Sequence, residues 1–361
     1  MIGLKAWRGL AAWMIGAMWC FGQPGIYGGG RADSVMRCET DDFLRNMPPG
    51  LQARQEKAVR MAVAGNSAAL DEVRFSRNHA IEIAEGVEVM DIDTDYRLYK
   101  PAYCNGKILP VMIYLHGGGW CFGSINSCAR FCIELVKTAG IAVLAVDYPL
   151  APEHPYPAAL VSCTDAVGFV FRHAAEYGLD SDGISIGGDS AGGNLALATA
   201  LSLIDSDKKK SGGVDAAMGL PRLKSLVLFY PVTRVWNDQS ASWREFGNGF
   251  GLDSGLMEAF NEAYLNGVDA NHPLVSPFNA QMGCLAMLPP VLIINAERDI
   301  LRDQGRDMAD KLTDAGVWVR RIVLPGTTHL FITVPGQPTA FAEAVRATAS
   351  FLNHTDADNC K

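Results

Sequence analysis

The amino-acid sequence predicts an α/β protein in which helices cover both faces of a mostly parallel sheet. Short, continuously apolar runs recur between residues 110 and 325, and segments typical of helices separate most of them. Strands that are apolar along their whole length indicate a sheet buried on both faces. Helices between such strands allow the parallel connections of an α/β fold. The 361-residue chain is long enough for one large core.

The individual elements are predicted from these runs. Residues 41–84 are charged and typical of helices, whereas residues 87–101 alternate in the manner of a strand. Helices are expected around residues 127–139, around residues 158–177 and from residue 191 onward. Buried strands are expected at residues 110–116, 141–148, 183–188, 223–230, 290–297 and 317–325.

One long segment interrupts this alternation. About sixty residues between positions 230 and 290 contain no convincing strand. Residues 252–267 are typical of a helix, with Asp253 or Ser254 as its N-cap. An insertion of this length in an alternating fold predicts a lid or cap, which could pack with the helical N-terminal region.

The N-terminus allows two interpretations. Lys5 and Arg8 precede an apolar run from residue 10 to residue 21, and small residues follow at Gly30 and Ala32. Residues 1–36 are then either a signal peptide, which implies a secreted or periplasmic protein, or an N-terminal helix of a cytoplasmic one. The sequence leaves both open.

A serine lies between an apolar strand and a helix-forming run. Residues 188–192, Gly-Asp-Ser-Ala-Gly, fit the G-x-S-x-G pattern of a nucleophile elbow. Such a turn holds the serine in a strained conformation, and the helix that follows directs its N–H groups toward the reacting carbonyl. We therefore predict that Ser190 is a nucleophile and that the Ala191 amide is an oxyanion donor.

The serine needs a base, and the base needs a group that orients it. In this strand–turn–helix context the partners should follow in the order acid and then histidine, after later strands. Asp299 and His329 occupy those places. Glu297 and Asp303 are rivals for the acid, but Asp303 should lie in the first turn of the next helix.

A second glycine-rich stretch follows the strand predicted at residues 110–116. Three successive glycines after His116 allow backbone N–H groups to approach a ligand closely. An HGGG stretch can form the second half of an oxyanion hole, so Gly118 and Gly119 are the predicted donors, and His116 shapes the loop. A phosphate-binding loop is disfavoured because no Lys-Ser/Thr follows and the pattern is not G-x-G-x-x-G.

Composition narrows the range of partners. The net charge of −8 argues against a basic surface for nucleic acid. Nine cysteines without a CxxC pair argue against a zinc module or a dense disulfide framework, although one or two disulfides stay open. No metal site is predicted.

Four sequence blocks resemble the hormone-sensitive-lipase-like esterases, the bacterial family IV of α/β-hydrolases. They are "HGGGW", "DYPLAPEHPYPAAL", "GGDSAGGNLA" and "ERDILRDQG" with the later "HLF". The resemblance covers residues 87–352 and implies an α/β-hydrolase core of eight strands with a helical cap. Trp120 stands where this family more often has phenylalanine, which we expect to reshape the pocket wall.

The resemblance also implies an activity and a domain organisation. It implies hydrolysis of carboxylic esters of short to medium acyl chain, no cofactor, and a triad at Ser190, Asp299 and His329. The hydrolase domain would span residues 37–361, with residues 37–84 and 231–289 contributing the cap.

The expected partner is a small-molecule ester, nucleic acid is not expected, and a homodimer is possible. Two alternatives stay open, which are a non-catalytic receptor on the same fold and an amidase or peptidase with the same triad.

Overall fold

The computed structural model describes residues 30–79, 82, 84–104, 106–210 and 222–357, without the side chains of residues 205–210 and 355–357. The sequence allowed two interpretations of residues 1–36, and residues 1–29 of that segment lie outside the described range. In the part of the chain that is described, no helix is long and apolar enough to cross a bilayer.

One sheet of eight strands runs through the molecule in the order β1-β2-β4-β3-β5-β6-β7-β8. The pairs β1·β2 and β2·β4 are antiparallel, and all other neighbours are parallel. The prediction of a mostly parallel sheet with flanking helices is therefore confirmed. In chain order the strands are β1 Val87–Ile92, β2 Tyr96–Pro101, β3 Leu109–Leu115, β4 Ala142–Val146, β5 Leu179–Asp189, β6 Leu226–Phe229, β7 Val291–Arg298 and β8 Val319–Thr328.

The single strand predicted at residues 87–101 was wrong, because these residues form a hairpin. β1 and β2 pair in register from Val87 opposite Pro101 to Ile92 opposite Tyr96. Asp93 turns the chain with a φ of 54°. Asp and Thr in residues 93–95 are turn formers, and this signal was hidden by the alternation on either side.

The helices account for most of the remaining described residues. The helix predicted at residues 158–177 has those bounds, and the helix predicted in the insertion begins after Asp253. In chain order the helices are α1 Arg31–Asn46, α2 Leu51–Val63, α3 Ala68–Arg77, α4 Ala129–Ala139, α5 Ala158–Tyr177, α6 Ala191–Lys210, α7 Ala241–Phe246, α8 Ser254–Leu265, α9 Met282–Leu285, α10 Arg302–Asp314 and α11 Pro338–Ala357.

The sheet separates two hydrophobic clusters. On β3, Val111, Ile113 and Leu115 face one cluster, whereas Met112 and Tyr114 face the other. Alternate side chains of a strand point to opposite faces, so a strand that is apolar throughout buries both faces. This is the physical basis of the continuous apolar runs in the sequence.

The N-terminal helices divide between two positions. α2 packs against α8 of the insertion, whereas α1 packs against β8 and α11. The six strands from β3 onward are parallel, so their carboxyl ends lie along one edge of the sheet. In open α/β sheets, this edge is where ligands bind.

Candidate active site

The structure brings the predicted nucleophile, base and acid together at this edge. The Ser190 hydroxyl lies 3.0 Å from Nε2 of His329, and Nδ1 of His329 lies 2.8 Å from Oδ2 of Asp299. A carboxylate can only accept, so Nδ1 carries the hydrogen and Nε2 is free to accept from the serine. Ser190, Asp299 and His329 are 6%, 1% and 2% exposed, which removes most competition from water.

The two rival acids lie elsewhere. The Glu297 carboxylate pairs with Arg37 at 3.0 Å and accepts the N–H of Gly326. Asp303 lies in the first turn of α10, where it accepts the N–H of Ser242 at 2.9 Å. Within the described residues, the ring of His329 bonds Asp299 and Ser190 and neither of these two carboxylates.

Ser190 is held in a strained turn between β5 and α6. Its φ of 55° is unusual for a residue with a side chain. A Cβ at Gly188 or Gly192 would lie 2.2 Å or 2.0 Å from the carbonyl oxygen of Leu115. Only glycine at both positions allows α6 to begin this close to β3, and the turn depends on that approach.

The glycine loop after β3 lies against the residue that precedes the serine. The Gly117 N–H donates to Oδ1 of Asp189 at 2.9 Å. Gly118 and Gly119 have φ values of 118° and 62°, which favour glycine, and the Gly118 carbonyl accepts the N–H of Phe122 at 2.8 Å. The loop is thus tied to the serine turn through Asp189.

The third predicted oxyanion donor lies at the start of a helix. Ala191 is the first residue of α6, and the first N–H groups of a helix have no acceptor within it. Its N–H therefore has no acceptor within the helix, and the helix dipole at this end favours negative charge.

Asp189 is a buried carboxylate between the serine turn and the glycine loop. The Tyr114 hydroxyl donates to its Oδ1 at 2.9 Å, in addition to the Gly117 N–H. Burial raises the pKa of Asp189 to about 6, because the hydrogen bonds from Tyr114 and Gly117 offset only part of the desolvation.

His116 lies against the glycine loop. Its Nδ1 lies 2.9 Å from the Gly117 carbonyl oxygen, and its ring stacks on Tyr148 with centroids 4.2 Å apart. Burial lowers the pKa of His116, so the ring stays neutral at neutral pH.

The structure adds an aromatic contact from α8 that sequence reasoning missed. Trp120 is fully buried and stacks on Tyr264 with centroids 4.3 Å apart. The Phe260 ring lies against Gly119, where a Cβ would come within 2.2 Å of it. The spacing of Phe260 and Tyr264 on a predicted helix indicates one packing face, although it does not indicate the partner of that face.

Gln337 is a second residue that sequence reasoning missed. It is buried, and its side-chain amide contacts the backbone of Thr328 and His329. It lies just before α11 and belongs to no motif, so no sequence signal indicated it.

The fold and this arrangement define the class of protein. An eight-stranded, mostly parallel sheet with a serine elbow after one strand and acid and histidine after later ones is the arrangement of α/β-hydrolases. The family model described as the alpha/beta hydrolase fold matches residues 112–333, well over half of the chain. The chain belongs to this family and, within it, to the hormone-sensitive-lipase-like esterases.

Two similar proteins are named for ester hydrolysis. The chain is 36% identical over 258 residues to a carboxylesterase, NlhH, of Mycobacterium tuberculosis, covering 70% of this chain and 75% of the relative. It is 34% identical over 239 residues to an ethyl acetate hydrolase of Pseudomonas putida, covering 65% and 70%.

A solved structure gives the same assignment. A hyperthermophilic esterase from the archaeon Pyrobaculum calidifontis superposes with a TM-score of 0.69 at 29% identity, covering 87% of this chain and 97% of that one. The protein is therefore an enzyme of the carboxylesterase type.

Proposed function

We propose that the protein hydrolyses carboxylic esters of short to medium acyl chain through an acyl-enzyme on Ser190. The observation that carries this proposal is the buried chain of two hydrogen bonds, 3.0 Å and 2.8 Å long, from Ser190 through His329 to Asp299. A nucleophile, a base and an orienting group in this geometry are sufficient for acyl transfer.

In the first half of the reaction, His329 Nε2 takes the Ser190 proton as the serine oxygen attacks the ester carbonyl. Asp299 holds the Nδ1–H tautomer and stabilises the imidazolium that forms. The amides of Gly118, Gly119 and Ala191 donate to the tetrahedral oxyanion. Loss of one such donor typically raises the barrier by about 2.7–4 kcal/mol.

The first tetrahedral intermediate then collapses, His329 protonates the leaving alcohol, and the acyl-enzyme is formed. In the second half, a water molecule takes the place of the alcohol. The neutral imidazole then takes a proton from this water as its oxygen attacks the acyl carbonyl. The tetrahedral intermediate collapses, the carboxylic acid leaves, and Ser190 regains its proton.

Two observations support a short acyl chain. The Phe260 ring lies directly against Gly119, and Phe122 packs edge-on to the same ring with centroids 5.0 Å apart. These aromatic rings limit the space beside the proposed oxyanion loop. The relative from Pseudomonas putida is named for the hydrolysis of ethyl acetate, an ester with a two-carbon acyl group.

The test is the release of p-nitrophenol from esters of increasing acyl length. We expect kcat/KM to be highest for short to medium chains, and we expect Ser190→Ala to abolish turnover. Ser185→Ala is the matched control, because Ser185 is also buried on β5 but bonds Ser225 at 2.9 Å.

Unchanged turnover by Ser190→Ala would contradict the proposed nucleophile, and a preference for long chains would contradict the acyl range. A matched p-nitroanilide separates ester from amide hydrolysis, and we expect the ester to react faster.

A further inference from the structure

A buried glutamine contacts the loop that carries His329. Gln337 is 2% exposed and directly precedes α11. The Thr328 N–H donates to its Oε1 at 3.0 Å. Its Nε2 donates to the carbonyl oxygens of Thr328 at 3.3 Å and of His329 at 3.2 Å.

A fourth contact comes from α1. The Thr40 hydroxyl lies 2.9 Å from Oε1 of Gln337 and 2.8 Å from the Met36 carbonyl oxygen, and it can donate to either. With Thr40 as donor, both lone pairs of Oε1 and both hydrogens of Nε2 are in use. The orientation of the amide follows, because donors face its oxygen and carbonyls face its nitrogen.

α1 is itself held against the same region. Asp41 pairs with Arg298 at 2.7 Å, one residue before Asp299. The Glu39 carboxylate accepts the N–H of Thr339 at 2.9 Å in the first turn of α11. α1 and α11 both lie beside Gln337, and these contacts fix them to each other and fix α1 to the end of β7.

The backbone after His329 needs such support. Leu330 has a φ of 75°, which is unfavourable for a branched side chain. A strained conformation persists only where the surrounding structure over-determines it. A small displacement of His329 would lengthen its bond to Ser190, and misplacement by about 1 Å can cost a factor of about one hundred in rate.

We infer that Gln337 is a positioning residue for His329 and that Thr40 of α1 orients it. The inference rests on the proposed role of His329 as the base. Gln337 acts on the backbone of the histidine, so its loss should lower kcat with little change in KM.

The main test is Gln337→Glu, which keeps the shape of the side chain and removes both N–H donors. An ionised carboxylate repels the carbonyl oxygens of Thr328 and His329, whereas the protonated acid can still donate to one of them. We expect kcat to fall by about tenfold to a hundredfold at pH 8. The ratio of variant to parent kcat should recover as the pH is lowered.

Gln304→Glu is the matched control. Gln304 is also fully buried, and its Oε1 accepts the N–H groups of Thr233 at 2.9 Å and Arg234 at 3.0 Å, while its Nε2 donates to the Arg234 carbonyl oxygen at 3.4 Å. A carboxylate can still accept from both N–H groups, and the donor that is lost contacts Arg234 rather than the loop that carries His329. The ratio of this variant's kcat to the parent value should therefore stay level from pH 5.5 to pH 8.5 in the same assays.

Thr40 provides a second test that does not depend on the folding of the first variant. Thr40→Val should lower kcat, and Thr40→Ser should restore it, because serine keeps the hydroxyl. Equal kcat values for these two variants would overturn the role given to Thr40.

A ratio for Gln337→Glu that does not change with pH would overturn the role given to Gln337. Parent-like turnover by Ser190→Ala is a separate result, and it would contradict the proposed function itself.

Discussion

Asp189 connects the two halves of the proposed site through a single carboxylate oxygen. It precedes Ser190 in the chain, and its Oδ1 accepts from Tyr114 and from Gly117 of the glycine loop. The position of that loop relative to the serine therefore depends on a group that is unfavourable to bury in its charged form.

The pH dependence of stability follows from the pKa of Asp189, which burial raises from 3.8 to about 6. Between these values the folded state binds the proton more tightly than the unfolded state. The contribution of Asp189 to the free energy of unfolding therefore falls as the pH rises through this window. We predict that Asp189→Asn, which keeps the acceptor oxygen, raises the free energy of unfolding at pH 8 by up to about 3 kcal/mol.

Urea unfolding of Asp189→Asn and the parent at pH 4 and pH 8 measures this prediction. The free energies of unfolding of the two proteins should differ little at pH 4 and strongly at pH 8. Asp303→Asn is the comparison, and it should change the free energy of unfolding in the opposite direction. Burial acts to raise the pKa of Asp303, but the hydrogen bonds from Arg302 and Ser242 and the charges of Arg302 and Arg306 lower it overall. A destabilised Asp189→Asn variant at pH 8 would contradict this account.

At the scale of elements, the start of α6 depends on its contact with β3. A Cβ at Gly192 would lie 2.0 Å from the Leu115 carbonyl oxygen, whereas one at Gly193 would meet the Pro231 side chain at 3.0 Å. Backbone atoms cannot move aside without disturbing the sheet. We therefore predict that Gly192→Ala lowers the free energy of unfolding by more than about 3 kcal/mol.

Gly193→Ala is the control for this prediction, because it adds the same methyl group one residue further along the same helix. We expect its cost to be smaller, and the protein should stay folded. Thermal unfolding of the two variants provides the comparison. Equal melting temperatures would show that the approach of α6 to β3 is not the constraint.

The elements of the sheet were largely predictable because burial on both faces leaves a direct signal in the sequence. β3 and β7 are apolar over successive residues, and α5 fills the interval between β4 and β5. The hairpin of β1 and β2 was missed because the alternation continues on both sides of a three-residue turn. The packing of α1 was not predictable, since its contact from Thr40 to Gln337 spans 297 residues.

At the scale of the whole molecule, the fold brings distant residues to one edge of the sheet. Ser190 and His329 are 139 residues apart in sequence and hydrogen-bonded in space. The triad could be predicted because parallel strands end along the same edge, so a residue after a strand has a known place. Gln337 and Phe260 could not be predicted in this way, because their positions depend on how helices pack.

The same organisation explains how a mostly apolar core supports a polar site. The two hydrophobic clusters hold the strands in register, and the polar groups gather beyond the strand ends. The ring of His329 contacts Asp299 and Ser190, and Gln337, which contacts the backbone of β8 and His329, is itself contacted by Thr40 of α1. The position of His329 thus depends on several elements of the folded chain, and no single element determines it.

The most direct test of the central proposal is covalent labelling with a p-nitrophenyl alkylphosphonate, with the modified residue identified by tandem mass spectrometry. We predict one adduct per chain, on the Ser190 oxygen, and much slower labelling in His329→Asn. An adduct on another residue, or labelling of Ser190 in His329→Asn at the parent rate, would contradict the account.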